Sequence, residues 1–220
     1  MIQLNSKLEL PLISKKIEGD KLTLSFEKPA DFQYEAGQYA SFALPQLASL
    51  QKSRAFSYAS SPGEDVIMIG TQLSDPPSDY KQALIDMKVG ETITMKGPYG
   101  DFISSSNDVN KVFIGLGIGI TPFRSIFLDA PTLEKDTLIY SGKSDLLFMD
   151  EFQALRSKGL TILNPLDRNE LAQTIASIAI EPTTEFYVSG SMKGVTNVSK
   201  LLSDRKVKSS HILSDVFSGY

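Results

Sequence analysis

The chain has 220 residues, a net formal charge of −4 and no cysteine. This length allows one large domain or two smaller ones with separate cores. Nucleic-acid-binding proteins usually carry a basic excess, which this chain lacks. The lack of cysteine excludes disulfides, thiolate zinc sites, cysteine nucleophiles and cysteine-ligated iron–sulfur clusters. The single histidine, His211, argues against a histidine-based metal site or a Ser-His-Asp triad.

No segment of the sequence predicts export or membrane insertion. The chain opens without a charged and then apolar leader, and no apolar run approaches the length of a membrane span. We therefore expect a cytoplasmic protein that binds neither membranes nor nucleic acid.

Short strands separated by turns dominate the first half of the chain. Apolar residues alternate with polar ones at Leu22, Leu24 and Phe26, a period typical of half-buried strands. Glycine, aspartate and proline interrupt the strands where hairpins are expected. The predicted strands cover 8–12, 22–26, 37–45, 53–60, 65–72 and 91–96, and one helix covers 79–87. Six strands and one helix predict a small antiparallel β-barrel.

The strand at 53–60 carries the first candidate ligand-binding residues. Arg54 is either an exposed strand charge or a phosphate clamp, because a guanidinium binds phosphate bidentately and stays ionised. Phe56 and Tyr58 share its face of the strand and suit either a flat phosphorylated ligand or the barrel core. Ser78, just before the helix, is predicted to be its N-cap, with or without a bound anion.

A glycine-rich turn opens the second half. An apolar run at 112–114 leads to Gly117 and Gly119, and Thr121 and Pro122 follow. We interpret this stretch as strand, turn and helix, with Thr121 as the N-cap and Pro122 in the first helical position. Free N–H groups at such a helix start favour a phosphate, although a turn without any ligand has the same pattern. The third glycine is displaced from the G-x-G-x-x-G dinucleotide fingerprint.

Strands and helices alternate from residue 111 onward. Such alternation predicts a Rossmann-like parallel sheet with helices on both faces. The predicted strands are 111–116, 137–141, 160–163, 186–189 and 211–216, and the predicted helices are 122–128, 149–157, 169–178 and 192–203. Asp167 and Glu170 have capping-box spacing at the third helix, and Gly159 suits the end of the second. Glycine and polar residues fill the loops at the carboxyl ends of the strands, which favours nucleotide binding there.

The order and spacing of these motifs resemble the ferredoxin–NADP reductase family of flavoprotein oxidoreductases, over nearly the whole chain. The flavin motif R-x-Y-S-x-x-S is similar to 54–60, and the pyridine-nucleotide motif G-x-G-x-x-P is similar to 117–122. The other similar segments are AGQY at 36–39, GPYGDF at 97–102, a C-G-P-like 189–191 and the aromatic end at 215–220. The resemblance implies an antiparallel six-stranded flavin-binding barrel at 1–106 and an NAD(P)-binding α/β domain at 107–220, divided within the polar stretch 104–110.

The resemblance implies roles for individual residues of the barrel. Arg54 would bind the flavin phosphate, and Phe56 would pack against the flavin, with Tyr58 of the same motif counted among the cofactor-binding residues. Ser57 would hydrogen-bond near flavin N5, the atom that receives hydride. Ser78 would contact the pyrophosphate of FAD, which favours FAD over FMN.

In the second domain, the resemblance implies a frame for the nicotinamide dinucleotide. The framing residues would be Gly117, Gly119, Thr121 and Pro122. Tyr220 would stack on the flavin, or would be a terminal residue without a role.

Three positions depart from the family pattern. Phe56 replaces a tyrosine, Ser189 replaces the cysteine near the nicotinamide, and Asp215 stands where many members carry glutamate. With Ser57, the last two are the candidate catalytic residues, and their replacement could slow hydride transfer or move the nicotinamide. Neither change removes a nucleophile, because the flavin carries out the chemistry.

The nucleotide preference rests on a short loop. Asp167 would repel a 2′-phosphate and favour NADH, unless it serves only as the helix cap. Arg168 and Lys143 could instead pair with that phosphate and favour NADPH. We expect NADH.

The electrons would leave to a separate acceptor, because a chain without cysteine holds no iron–sulfur cluster of its own. The acceptor would be a ferredoxin, a flavodoxin, an oxygenase component or a small molecule. The alternative function is a non-catalytic flavin or nucleotide sensor, or a regulatory subunit, which the changes at Ser189 and Asp215 motivate.

Overall fold

The computed structural model describes residues 7–45, 47, 53–142 and 146–217. The chain divides into two units, Met1–Ile103 and Ser104–Tyr220. The boundary predicted after residue 106 falls just beyond this division. The assignment of a flavin to the first unit and a nucleotide to the second stays a prediction.

The first unit is built on a six-stranded antiparallel sheet. Its strands are β1 (Lys7–Glu18), β2 (Lys21–Glu27), β3 (Tyr39–Ala43), β4 (Ser53–Ser57), β5 (Val66–Gln72) and β6 (Thr92–Tyr99). Their spatial order is β4-β3-β6-β1-β2-β5. The Ala59 amide, just beyond β4, donates a hydrogen bond to the Met68 carbonyl of β5 at 2.7 Å, so the two edge strands meet and the sheet closes. The predicted antiparallel barrel is confirmed.

Alternation along the strands fills the barrel. Leu22, Leu24 and Phe26 of β2 are fully buried in one core cluster. Helix α1 (Asp79–Asp86) adds Tyr80 and Leu84 to the same cluster. The predicted strand 53–60 ends early, at Ser57, because the chain there leaves β3 and crosses to β5.

The second unit contains a parallel sheet of five strands. These are β7 (Lys111–Leu116), β8 (Asp136–Ser141), β9 (Thr161–Leu163), β10 (Glu185–Ser191) and β11 (Ile212–Phe217). The order is β11-β10-β7-β8-β9, and every pair is parallel. The connecting helices are α2 (Thr121–Asp129), α3 (Met149–Ala154), α4 (Arg168–Ser177) and α5 (Met192–Asp204). Short 3₁₀ helices cover Gly117–Ile120, Leu155–Lys158 and Ser209–His211.

Successive residues of β7 point to opposite faces of this sheet. Val112 and Ile114 pack in a cluster with residues of α4 and α5. The Phe113 ring contacts the rings of Phe123 and Phe127 in α2, at 5.4 and 4.8 Å between centroids. Helices therefore cover both faces, as predicted. No helix within the described ranges is long and apolar enough to cross a membrane.

Candidate functional site

A cluster of cations lies beside the start of helix α1. The Arg54 guanidinium of β4 stacks over the Tyr80 ring at 5.4 Å. The Tyr80 hydroxyl donates to the Phe42 carbonyl at 2.8 Å, which holds the ring in place. Burial raises the pKa of Tyr80 above its usual value, so this phenol remains a neutral donor. Lys81 is half-buried, and its pKa is lowered by that burial and by the charge of Arg54.

The first turn of α1 is closed by Ser78. Its hydroxyl accepts a hydrogen bond from the Lys81 amide at 3.4 Å, so the predicted N-cap is confirmed. The donors gathered here are two cations and a helix start, which are the groups that hold phosphate in proteins. The residues present therefore fit the phosphate part of a flavin nucleotide. Contact of Ser78 with a pyrophosphate stays a prediction.

The other residues of the flavin-like motif occupy different depths. Phe56 is half-buried and packs against Phe42 and Tyr80, with ring centroids at 5.9 and 6.1 Å. Ser57, the last residue of β4, is nearly buried. Tyr58 is fully buried with its ring 4.3 Å from that of Tyr34, so its side chain belongs to the barrel core and cannot touch a ligand at the surface.

The predicted N-cap at Thr121 is wrong. Gly117–Ile120 already form a 3₁₀ helix, and Ile120 has helical dihedral angles of −71° and −21°. Thr121 is therefore the first residue of α2, and its hydroxyl donates to the Ile118 carbonyl at 3.1 Å. Pro122 follows in the first turn, where a missing amide hydrogen costs nothing.

Glycine is required twice in this turn, for different reasons. Gly117 has φ of 59°, which few other residues adopt. At Gly119, a Cβ would lie 2.2 Å from the carbonyl oxygen of Ser189. The helix start is thus pressed directly onto strand β10. A contact of either glycine with a nucleotide stays a prediction.

Ser189 and Asp215 are brought together by the sheet. They are register partners on β10 and β11, and Gly115 is the partner of Ser189 on its other side. Ser189 is fully buried, and its hydroxyl has no hydrogen-bond partner among the described residues. Leaving a buried hydroxyl unsatisfied costs about 1–3 kcal/mol. Such a group at the carboxyl edge of a parallel sheet marks a candidate ligand contact.

Asp167 caps helix α4, as predicted. Its Oδ1 accepts from the amides of Asn169 and Glu170, at 2.7 and 2.9 Å. The Glu170 carboxylate accepts from the Leu166 amide at 2.8 Å, one residue before the position that a standard capping box uses. Asp167 and Arg168 are both exposed.

No protein-family model matches the sequence. Among solved structures, a ferredoxin NADP+ reductase from Neisseria gonorrhoeae with bound FAD and NADP aligns with a TM-score of 0.81 at 19% identity, over 96% of this chain and 98% of that one. The chain has the ferredoxin–NADP reductase fold. The flavohem-like FAD/NAD-binding domain of nitric oxide dioxygenase from Vibrio cholerae shares this fold, with a TM-score of 0.80, 21% identity and coverage of 95% and 98%.

One curated relative with this similarity is a component of the Na(+)-translocating NADH-quinone reductase of Shewanella denitrificans. It is 24% identical over 227 residues, which cover 88% of this chain and 56% of the relative. The chain thus spans about half the length of the curated relatives it matches.

Within the reductase fold, sequence reasoning missed Tyr80 and Lys81. The signal was present, because Lys81 follows the cap residue Ser78 by one helical turn. That spacing alone does not reveal that the lysine meets an arginine of a distant strand. Tyr220 and Lys143 lie outside the described residues, so their predicted roles stay predictions.

Proposed function

We propose that this protein is an oxidoreductase that takes hydride from NAD(P)H onto bound FAD and passes the electrons to a separate acceptor. The observation that carries the proposal is the cation cluster at the start of α1, set within a reductase fold whose second unit has a glycine-rich helix start beside the buried Ser189 hydroxyl. The first feature suits a flavin nucleotide and the second suits a nicotinamide dinucleotide.

The barrel residues would bind and orient the cofactor. Arg54 would pair with the phosphate, and Ser78 would place the amides of the first turn of α1 towards it. Phe56 offers its ring to the flavin side, and Ser57 would hydrogen-bond near N5. When bound, FAD supplies the redox chemistry: it takes up a hydride, with its two electrons, and releases the electrons to the acceptor singly or together.

The second unit would bind the donor nucleotide. Gly117 and Gly119 allow the chain to turn tightly at the end of β7, and Thr121 with Pro122 begins the helix behind that turn. The Ser189 hydroxyl would gain its missing hydrogen bond from the nicotinamide nucleotide. Its register partner Asp215 would complete this polar edge.

Asp167 supports a preference for NADH. The cap bonds use Oδ1, so Oδ2 can accept a ribose 2′-hydroxyl, whereas a 2′-phosphate would meet a fixed negative charge. Arg168 is exposed beside it and could offset that charge for NADPH. We propose NADH as the better donor.

The acceptor would be a separate protein or small molecule, because the chain has no cysteine to ligate a cluster. The name of the Shewanella denitrificans relative adds a quinone-reductase assembly to the candidate acceptors. A cytoplasmic location without membrane contact belongs to this proposal, and cell fractionation would test it.

The test is the visible absorbance spectrum of the purified protein without oxygen, before and after NADH or NADPH. An oxidised-flavin spectrum that NADH bleaches within the mixing time supports the proposal and its donor. A bound flavin that neither nucleotide reduces would support the sensor alternative. A protein that binds neither FAD nor FMN after reconstitution would overturn the function.

A further inference from the structure

The Arg54–Lys81 pair is unusual because the fold brings two like charges together. Arg54 lies on β4 and Lys81 lies in the first turn of α1, and the guanidinium stacks on the ring of Tyr80, the residue next to Lys81. The charge of Arg54 lowers the pKa of Lys81, which burial lowers as well. Holding two cations in this arrangement costs free energy in the absence of an anion.

The supports of this pair are rigid. Tyr80 is buried, its hydroxyl is bonded to the Phe42 carbonyl, and its ring also stacks on Phe56. The Lys81 amide is engaged by the Ser78 cap. The two cationic side chains therefore project from fixed points, which reduces the entropy lost when they bind one ligand.

We infer that Lys81 is a second phosphate-binding cation, which acts with Arg54 on the pyrophosphate of the flavin. This assignment rests on the proposed function and deepens it. The only acidic residue in the first turn of α1 is Asp79. Two cations and one carboxylate leave one positive charge, whereas Arg54 and Asp79 alone would cancel. Lys81 thus provides the net charge that attracts an anionic ligand.

The ligands that test this inference form a series. Riboflavin has no phosphate, FMN has one, and FAD has a pyrophosphate. We expect Lys81→Gln to weaken FAD binding about tenfold at low ionic strength, since a charge-assisted hydrogen bond is lost. Riboflavin should bind the variant as it binds the unaltered protein. Inorganic pyrophosphate, titrated calorimetrically into the flavin-free full chain, should show the same loss as FAD.

Two further variants control this measurement. Lys88→Gln removes an exposed lysine just past the other end of α1 and should leave all affinities unchanged. Lys81→Arg keeps the charge and should retain FAD binding. Thermal unfolding of each variant reports any structural damage.

The possible outcomes separate the inference from the function. Equal FAD affinity in Lys81→Gln and the unaltered protein would overturn the inference and leave the flavoprotein proposal standing. Equal losses for riboflavin and FAD would also overturn it, because they would indicate a structural role. An unaltered protein that binds no flavin at all would overturn the proposed function, and the inference with it.

Discussion

The Ser189 hydroxyl shows at the scale of one residue how a functional group can oppose stability. It is buried in β10 without a hydrogen-bond partner among the described residues, and an apolar side chain there would avoid that desolvation. Ser125 of α2 is buried and unpartnered in the same way, which provides a matched comparison.

Ser189→Ala should separate binding from stability. We expect the free energy of unfolding to stay constant or rise by about 1 kcal/mol, because an unsatisfied hydroxyl is removed. The KM for NADH should rise about tenfold if the hydroxyl binds the nucleotide. Urea unfolding and steady-state kinetics measure the two effects. Ser125→Ala should reproduce the stability change only, and a matching rise in its KM would contradict the assignment.

Asp136 is a second residue whose charge is unfavourable in the native state. Burial raises its pKa to about 6, although Lys111, its register partner on β7, favours the ionised form. In the unfolded chain the pKa of aspartate is about 4. The native state therefore holds the proton more tightly, so this group stabilises the fold at pH below about 4, and the stabilisation is lost as the pH rises to about 6.

Asp136→Asn should remove this dependence. At pH 7 we expect the variant to be more stable by about 1 kcal/mol, a figure that allows for solvent screening of a half-buried group. Urea unfolding at pH 4 and pH 7 measures it. Asp108→Asn, at an exposed carboxylate paired with Lys135, should change little. A variant that is less stable at pH 7 would show that the Lys111 pairing outweighs burial.

At the scale of elements, the start of α2 is defined by a backbone contact. Gly119 lies so close to the Ser189 carbonyl that a methyl group has no room. The glycine that resembles a phosphate-binding residue is thus required by the packing of a helix start on a neighbouring strand.

Gly119→Ala should therefore destabilise the protein by about 2–3 kcal/mol, because the helix start must move away from β10. The midpoint of urea unfolding would report this loss. Gly63→Ala offers a control, since the nearest atom to its new Cβ would be 3.9 Å away. Unchanged stability in Gly119→Ala would mean that the turn adapts freely.

The cap of α4 links an element boundary to nucleotide choice. Asp167→Asn keeps a good N-cap residue and removes only the negative charge. The ratio of kcat/KM for NADH to that for NADPH should fall about fivefold to tenfold, because repulsion of the 2′-phosphate is relieved. Glu170→Gln removes a nearby charge of the same cap and should move the ratio much less. An unchanged ratio in Asp167→Asn would place the choice elsewhere.

At the scale of the whole molecule, each unit has its own core, and one cluster fixes where the second unit begins. The Glu185 carboxylate of β10 accepts hydrogen bonds from Ser105, Asn107 and Tyr187, at 2.6, 2.9 and 2.8 Å. The Tyr187 hydroxyl also accepts from the Ser105 amide. The polar segment that sequence analysis predicted as a boundary is thereby tied to the parallel sheet.

Glu185→Gln should loosen that segment. Burial acts to raise the pKa of Glu185, but the hydrogen bonds from Ser105, Asn107 and Tyr187 outweigh it and hold the pKa below its usual value. The stabilisation is therefore present above pH about 4 and lost as the pH falls through the native pKa. At pH 7 the variant should lose about 1–2 kcal/mol and be cut faster by protease within 104–110. Unchanged cleavage would mean that other contacts hold the segment.

Most elements were predictable because their signals are local. Strand β7 lies where its apolar run indicated, and the caps at Ser78 and Asp167 are formed by side chains that bond to amides within one turn. The error at Thr121 has a local cause as well. A 3₁₀ turn before the helix shifts its start, and single-residue preferences do not register that shift.

The sequence by itself determined the two halves, their strand and helix order and the positions of the motifs, since periodicity, turn residues and caps act over a few neighbouring residues. Only the tertiary structure decided the character of the candidate site. It placed Tyr58 in the core, left the Ser189 hydroxyl buried beside Asp215 and brought Lys81 against Arg54. Burial and charge proximity between residues that are distant in sequence depend on strand register and packing, which no local pattern records.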